Sequence, residues 1–373
     1  MKNKILQLLN SFKVKTARYW SKINWPVRAI LILAIFSGAS LIIFWLAVNQ
    51  EIKANIFNSL ALSKEKIIKA VAPPDSIPSF YVRRHIDGVY VDPKDADYYP
   101  VAVMIDNDPL ARPQWGLARA NIVYEAKAES GITRYLAVFA TSNPIVKIGP
   151  VRSARPYYLD WTEGYNALYA HVGGSPEALN RLRNESIPNL NEFYQGQYFW
   201  RANDYVAPHN IFASSANLNK YLEKMNLKTS DYDFWLYKDE AALEARASSS
   251  VAVNFSVHDF LVNWKYDAEK NEYARYLGGA QHKDADGAPI VSKNIVIMKV
   301  KSKILDAELR RQMDTIGEGK SWYCFDGICE IGKWKKESKE KREKIYDANE
   351  EEVRFNAGTT WIEVIQGEGQ VSI

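Results

Sequence analysis

Cysteine is almost missing from this chain. Its 373 residues hold two, Cys324 and Cys329, and only five histidines. Two thiolates without a neighbouring histidine cannot complete a tetrahedral zinc shell, so a zinc site there is excluded. No His-Glu-x-x-His stretch exists, which removes the commonest zinc-protease helix. Ile316-Gly317-Glu318-Gly319-Lys320-Ser321 ends like a phosphate-binding loop, but Asp314 stands where the opening glycine is required. Gly173-Gly174-Ser175-Pro176 has no glycine two places after its serine, so it is not a nucleophile elbow. A net charge of only +4 gives no reason to expect a nucleic-acid partner.

Acidic residues are also absent before Glu51, while Lys2, Lys4, Lys13, Lys15, Arg18, Lys22 and Arg28 precede an uncharged run, Ala29–Val48. About 20 apolar residues suffice to cross a bilayer as a helix. The basic flank predicts a cytoplasmic N-terminus and an extracytoplasmic remainder. The expected localisation is the plasma membrane, single-pass, anchored through Ala29–Val48 without cleavage. No cysteine follows the run to take a lipid.

The expected organisation is a basic tail (1–28), a transmembrane helix (29–48), a stalk (49–79), a first domain (80–235), a linker (236–250) and a second domain (251–373). In the first domain, continuous apolar runs such as Val101–Ile105 alternate with helix signals at Pro156 and Ser175. This predicts an α+β or α/β domain whose central sheet is flanked by helices. Short runs separated by Gly, Asp and Asn turns predict a mostly antiparallel β second domain. There, Cys324-Phe325-Asp326-Gly327-Ile328-Cys329 reads as a hairpin with a two-residue Asp-Gly turn. Its geometry sets the cysteines opposite each other, predicting a disulfide, Cys324–Cys329.

The stretch around which a site is expected is Gly149–Pro176. It brings Arg152, Ser153 and Arg155 before a helix start, then His171 and the N-cap Ser175. Helix N-termini and arginine forks both suit phosphate or carboxylate. Asp106, Arg112, His209 and Asn210 lie at strand exits or turns and join the candidate set. A two-residue Ser130-Gly131 turn would also put Glu125 and Glu129 on one sheet face with Arg134. The alternative for the arginines is ordinary pairing with Asp106, Glu125, Glu129 and Asp160. Asp106, His171 and His209 could meet as metal ligands, though their spacing does not establish it.

Val101–Asn107 (VAVMIDN), Ala111-Arg112-Pro113-Gln114, Ala120–Glu125, Ser130–Arg134, Gly149–Arg155 (GPVRSAR), His171–Ser175 (HVGGS) and Pro208-His209-Asn210 occur in that order. In this the chain resembles the YerB family of bacterial envelope lipoproteins. Asn294-Ile295-Val296 and Gly358–Ile362 extend the resemblance to the family's C-terminal domain. It implies an exported, surface-held protein of two domains and no assigned reaction. Members carry a lipid-modified cysteine where this chain has its apolar run. The order of features is also similar to the LytR-CpsA-Psr enzymes, which transfer a glycopolymer from a polyprenyl pyrophosphate carrier. That similarity implies Asp106 on a divalent cation such as Mg²⁺, with Arg112, Arg152 and Arg155 on the pyrophosphate. Three functions therefore stand: a binder of an anionic envelope polymer or lipid-linked precursor, a phosphotransferase, or a protein-interaction scaffold.

Overall fold

Strands rich in apolar residues and buried on both faces need a cover on each side. The computed structural model, which describes residues 24–26, 78 and 80–373, meets that need with layered sheets. The largest sheet uses ten strands: β1 (Val101–Asp106), β2 (Ile122–Lys127), β3 (Thr133–Phe139), β4 (Leu168–His171), β5 (Asn189–Asn191), β6 (Asn294–Lys299), β7 (Gly317–Phe325), β8 (Ile328–Lys336), β9 (Lys344–Tyr346) and β10 (Thr360–Ile365). Their order across the sheet is β9-β8-β7-β6-β10-β2-β3-β1-β4-β5. Strand β10 lies parallel to both β6 and β2, so it joins the two halves of the chain edge to edge. Every residue of β1, β3 and β10 is buried.

One face of this sheet packs on a six-stranded sheet that includes Val251–Asn254, Leu261–Asp267 and Glu272–Leu277. Trp264 and Trp361 meet edge to face between the layers, 5.2 Å apart. The other face is covered by helix α1 (Pro156–Glu163), whose Tyr157, Tyr158, Leu159 and Trp161 are buried against Met104, Tyr124 and Leu136. Helices α2 (Pro176–Asn184) and α3 (Ser215–Lys224) complete the longer helical segments of the described residues.

This architecture corrects the expected fold class. The protein is mostly β, with 38% strand against 18% helix, and the first half is not an α+β unit with its own helix-flanked sheet. The helices are short, and the sheet that β1–β3 begin is completed by β6–β10 from the second half. A local reading treats each half separately, whereas the pairing of β10 with β2 spans about 240 residues of chain and leaves no local mark. The expected membrane helix, Ala29–Val48, lies outside the described residues. Among the described residues no helix is long and apolar enough to cross a membrane, so the structure gives the expected anchor no support.

The β7–β8 hairpin sets Cys324 directly opposite Cys329, and the two form a disulfide with Cα atoms 4.1 Å apart. Asp326 and Gly327 both have positive φ, as a two-residue turn between twisted strands demands. The bridge closes a short loop, so Cys324→Ser with Cys329→Ser is expected to cost about 2 kcal/mol. A lowered urea midpoint at unchanged slope checks this.

Candidate functional site

The site begins with Gly149–Arg155, which is laced beside the end of β1 as an irregular strand. Asp106 N–H donates to Pro150 O (2.9 Å), Arg152 N–H to Met104 O (2.8 Å) and Val172 N–H to Arg152 O (3.0 Å). Gly149 has φ +140°, and a Cβ there would lie 2.7 Å from Val151 N, so a side chain is excluded where the loop turns in. Cis peptide bonds occur at Arg112-Pro113, Gly149-Pro150 and Ala207-Pro208, in the loops that carry Arg112, Arg152 and His209.

These loops converge on Asp106, which is 2% exposed. Its Oδ1 accepts Asp108 N–H at 3.0 Å. Its Oδ2 accepts His209 Nδ1–H at 2.8 Å and faces Arg152 Nε at 3.1 Å. Arg152 is thus held by its inner nitrogen, while its two terminal nitrogens have no partner among the described residues. The side chain is 24% exposed. Buried Arg134 donates from Nη1 to Ser153 O (2.9 Å) and from Nη2 to Glu129 (3.1 Å). Arg155 hydrogen-bonds Glu129 through Nε and Ala154 O through Nη1 (2.6 Å). Burial works to raise the Glu129 carboxyl, but the Arg155 hydrogen bond and the two guanidinium charges outweigh it and hold it below the ordinary range. Burial pulls Arg134 down, and the like charge of Arg155 adds to this. Arg134, Arg152 and Arg155 therefore face two carboxylates, leaving an excess of positive charge at a partly open surface. Asn210, next to His209, accepts from Arg201 Nη1 at 3.0 Å.

Other candidates are placed elsewhere. Ser175 caps α2 by accepting Ala178 N–H at 3.4 Å. His171 is fully buried, donates from Nδ1 to Gly173 O (2.7 Å) and stacks on Tyr169. Burial pushes its pKa down to about 4 from 6.5, with the Gly173 hydrogen bond opposing only in part. The unfolded chain therefore takes up this proton at a higher pH than the folded one. Stability is fully present above the unfolded value and is lost as pH falls from 6.5 towards 4, by up to about 3 kcal/mol. His171→Asn is expected to flatten that acid slope, read as urea midpoints at pH 7 and pH 4.5.

Glu125 also leaves the site, for a reason of register. Ala128 N–H donates to Ile132 O (2.7 Å), so the turn encloses three residues, not two. Glu125 then pairs with Tyr135 and Ala126 with Arg134. A shift of one residue exchanges faces. Glu125 consequently points into the layer between the sheets, where it meets Arg275 with both side chains fully buried. Arg112 belongs to that side too, donating to Asn107 Oδ1 and O, each at 3.0 Å, and lying over Phe260.

Sequence reasoning missed most of this second network. Arg275 Nη1 hydrogen-bonds His282 Nδ1 (2.6 Å), and His282 Nε2 meets Gln114 Oε1 (3.0 Å). Gln114 Nε2 donates to Asp106 O (3.0 Å) and Asn107 Oδ1 (3.2 Å). Asn107 and Thr133 close the circuit at 2.7 Å, with Thr133 Oγ1 donating to Glu125 (2.6 Å). Glu363 accepts Trp264 Nε1–H at 2.8 Å, and burial, with Glu125 nearby, raises its pKa. A hydrogen-bonded chain thus runs from the second half of the protein to the backbone of Asp106. One signal was present: in Tyr273-Ala274-Arg275-Tyr276-Leu277 the arginine falls on the inward, apolar phase of the strand.

Among the described residues no group of three or more His, Cys, Asp and Glu side chains could hold a metal ion. Asp106 has both oxygens engaged by protein donors.

Comparison with known proteins gives consistent matches. Residues 87–228 match the family described as protein of unknown function (DUF3048), N-terminal domain, and residues 251–362 its C-terminal domain. Putative lipoprotein YerB of Bacillus subtilis (strain 168) is 31% identical over 300 residues, covering 79% of this chain and 88% of the relative. The crystal structure of the YerB protein from Bacillus subtilis is similar at a TM-score of 0.71 and 30% identity, covering 78% of this chain and 99% of that one. A relative named as a lipoprotein conflicts with a single-pass plasma-membrane protein, and that expected localisation is corrected accordingly.

Proposed function

This chain belongs to the YerB-like family built from the two DUF3048 domains, and on that premise we propose that it is a binding protein of the cell envelope whose Arg134–Arg152–Arg155 cluster takes an anionic, phosphate- or carboxylate-bearing ligand. The observation that carries this reading is Arg152. Asp106 fixes its inner nitrogen, and the terminal fork is left without a partner among the described residues at a partly exposed position. Such a fork suits bidentate grip on a carboxylate or phosphate. The name of the relative, a putative lipoprotein, supports an envelope setting and so an envelope ligand. Binding is favoured over phosphoryl transfer because Asp106, the residue a transferase would give to its cation, is already held by Asp108 N–H, His209 and Arg152.

Calorimetry of the full chain against inorganic phosphate and solubilised wall fragments, with and without Mg²⁺, tests the reading. Saturable binding that is independent of Mg²⁺ and lost in Arg152→Gln is expected. Absence of any Arg152-dependent binding contradicts it.

A further inference from the structure

We propose that the ligand is a linear polyanion, held at two adjoining cationic stations, the second of which is completed by the far half of the chain. This rests on the anion-site reading above and extends it to residues outside that site. The first station is Arg152 on Asp106. The second lies at the turn after β2, where Glu129 is already shared by Arg134 and Arg155. Two further cations stand there. Lys127 ends β2, and its ammonium has no ion-pair or hydrogen-bond partner among the described residues. Arg311 comes from the hairpin formed by Ser302–Ile304 and Arg311–Met313, and its Nε donates to Ala128 O at 3.2 Å.

Tyr157 ties these groups into one neighbourhood. Its hydroxyl donates to Lys127 O at 2.8 Å, and it feels the charges of Arg134, Arg155, Glu129 and Arg311 together. Burial lowers the Lys127 pKa and Arg311 lowers it further, as expected for two cations without a shared counter-ion. Arg310, next in the hairpin, does not join the station because Asp306 and Glu308 hold it.

Lys127, Arg134, Arg152, Arg155 and Arg311 thus outnumber Asp106 and Glu129, while Asp306 and Glu308 are taken up by Arg310. Like charges gathered at a partly exposed surface repel unless an anion neutralises them. One compact anion can take the Arg152 fork, but that leaves the Lys127–Arg311 pair unmatched. A chain of repeated phosphates or carboxylates reaches both.

Calorimetry of the full chain, with inorganic phosphate, a short polyphosphate and poly-L-glutamate as probes, tests this at low and high salt. The polymer is expected to bind at least about tenfold more tightly than phosphate, with a steeper salt dependence. Lys127→Gln with Arg311→Gln should weaken the polymer by about tenfold while leaving phosphate within about twofold, because each lost, solvent-screened charge contact is worth about threefold, or about 0.7 kcal/mol. Since Arg311 also holds the hairpin, Lys127→Gln alone serves as the second variant and should weaken the polymer about threefold. Comparison of polyphosphate with polyglutamate decides whether phosphate or carboxylate is the repeating group. Equal affinity for polymer and phosphate, or polymer binding untouched in Lys127→Gln and in the double variant, overturns the polyanion proposal and leaves the anion site standing. Phosphate binding that ignores Arg152→Gln contradicts the underlying reading instead.

Discussion

Arg275→Met is expected to destabilise the protein by about 3–5 kcal/mol, because it strands Glu125 as an uncompensated charge in the layer between the sheets. Arg275 and Glu125 are both fully buried, and the guanidinium lies 4.8 Å from the Trp361 ring and 5.7 Å from that of Trp264. Burial alone would lower the Arg275 pKa, yet Glu125 and its neighbours raise it. Adding Glu125→Gln should recover much of the loss. The glutamine keeps an acceptor for Thr133 and Asn107 and removes the stranded charge. Urea unfolding of wild type, both single variants and the double variant gives the coupling directly. Additive losses would contradict the pairing.

The second large effect concerns binding. Arg152→Gln with Arg155→Gln is expected to weaken a phosphate-bearing ligand by at least about 100-fold, since two charge-assisted hydrogen bonds are together worth about 3–6 kcal/mol. The fold should survive. Asp106 keeps His209 and Asp108 N–H, and Glu129 keeps Arg134. Calorimetry with circular dichroism on the same samples separates lost binding from lost structure. A variant that folds and binds as wild type sinks the arginine site.

The two networks differ in how far the sequence discloses them. Asp106, Arg152 and His209 each sit in a short polar block next to an apolar run, and that punctuation marks strand exits where side chains of distant loops converge. The Cys324–Cys329 hairpin was equally open to reading, because an Asp-Gly turn fixes its own register. Glu125 was misplaced by one residue of turn length, and in a strand one residue is a whole face. Arg275, His282 and Glu363 were invisible for another reason. Their partners are set by the stacking of two sheets and by β10 entering beside β2, long-range pairings that no local pattern encodes. What the sequence did offer was a charge on the apolar phase of a strand, at Arg275 and again at Glu363 within Trp361-Ile362-Glu363-Val364-Ile365. The same joining of halves explains why an α+β first domain was expected and a mostly β protein was found.

The same joining also gives the second half a place in the site. Through His282 and Gln114 it braces the carbonyl of Asp106, and through Arg311 it adds charge beside Glu129.

The most direct measurement is a phosphate titration of the full chain followed through the Nε–H signals of its arginines by ¹⁵N nuclear magnetic resonance. The signals of Arg152 and Arg155 are predicted to move together along one saturating curve, while that of Arg275, sealed between the sheets, stays still. Movement confined to other arginines, or none at all, would contradict an anion site at Asp106 and Glu129.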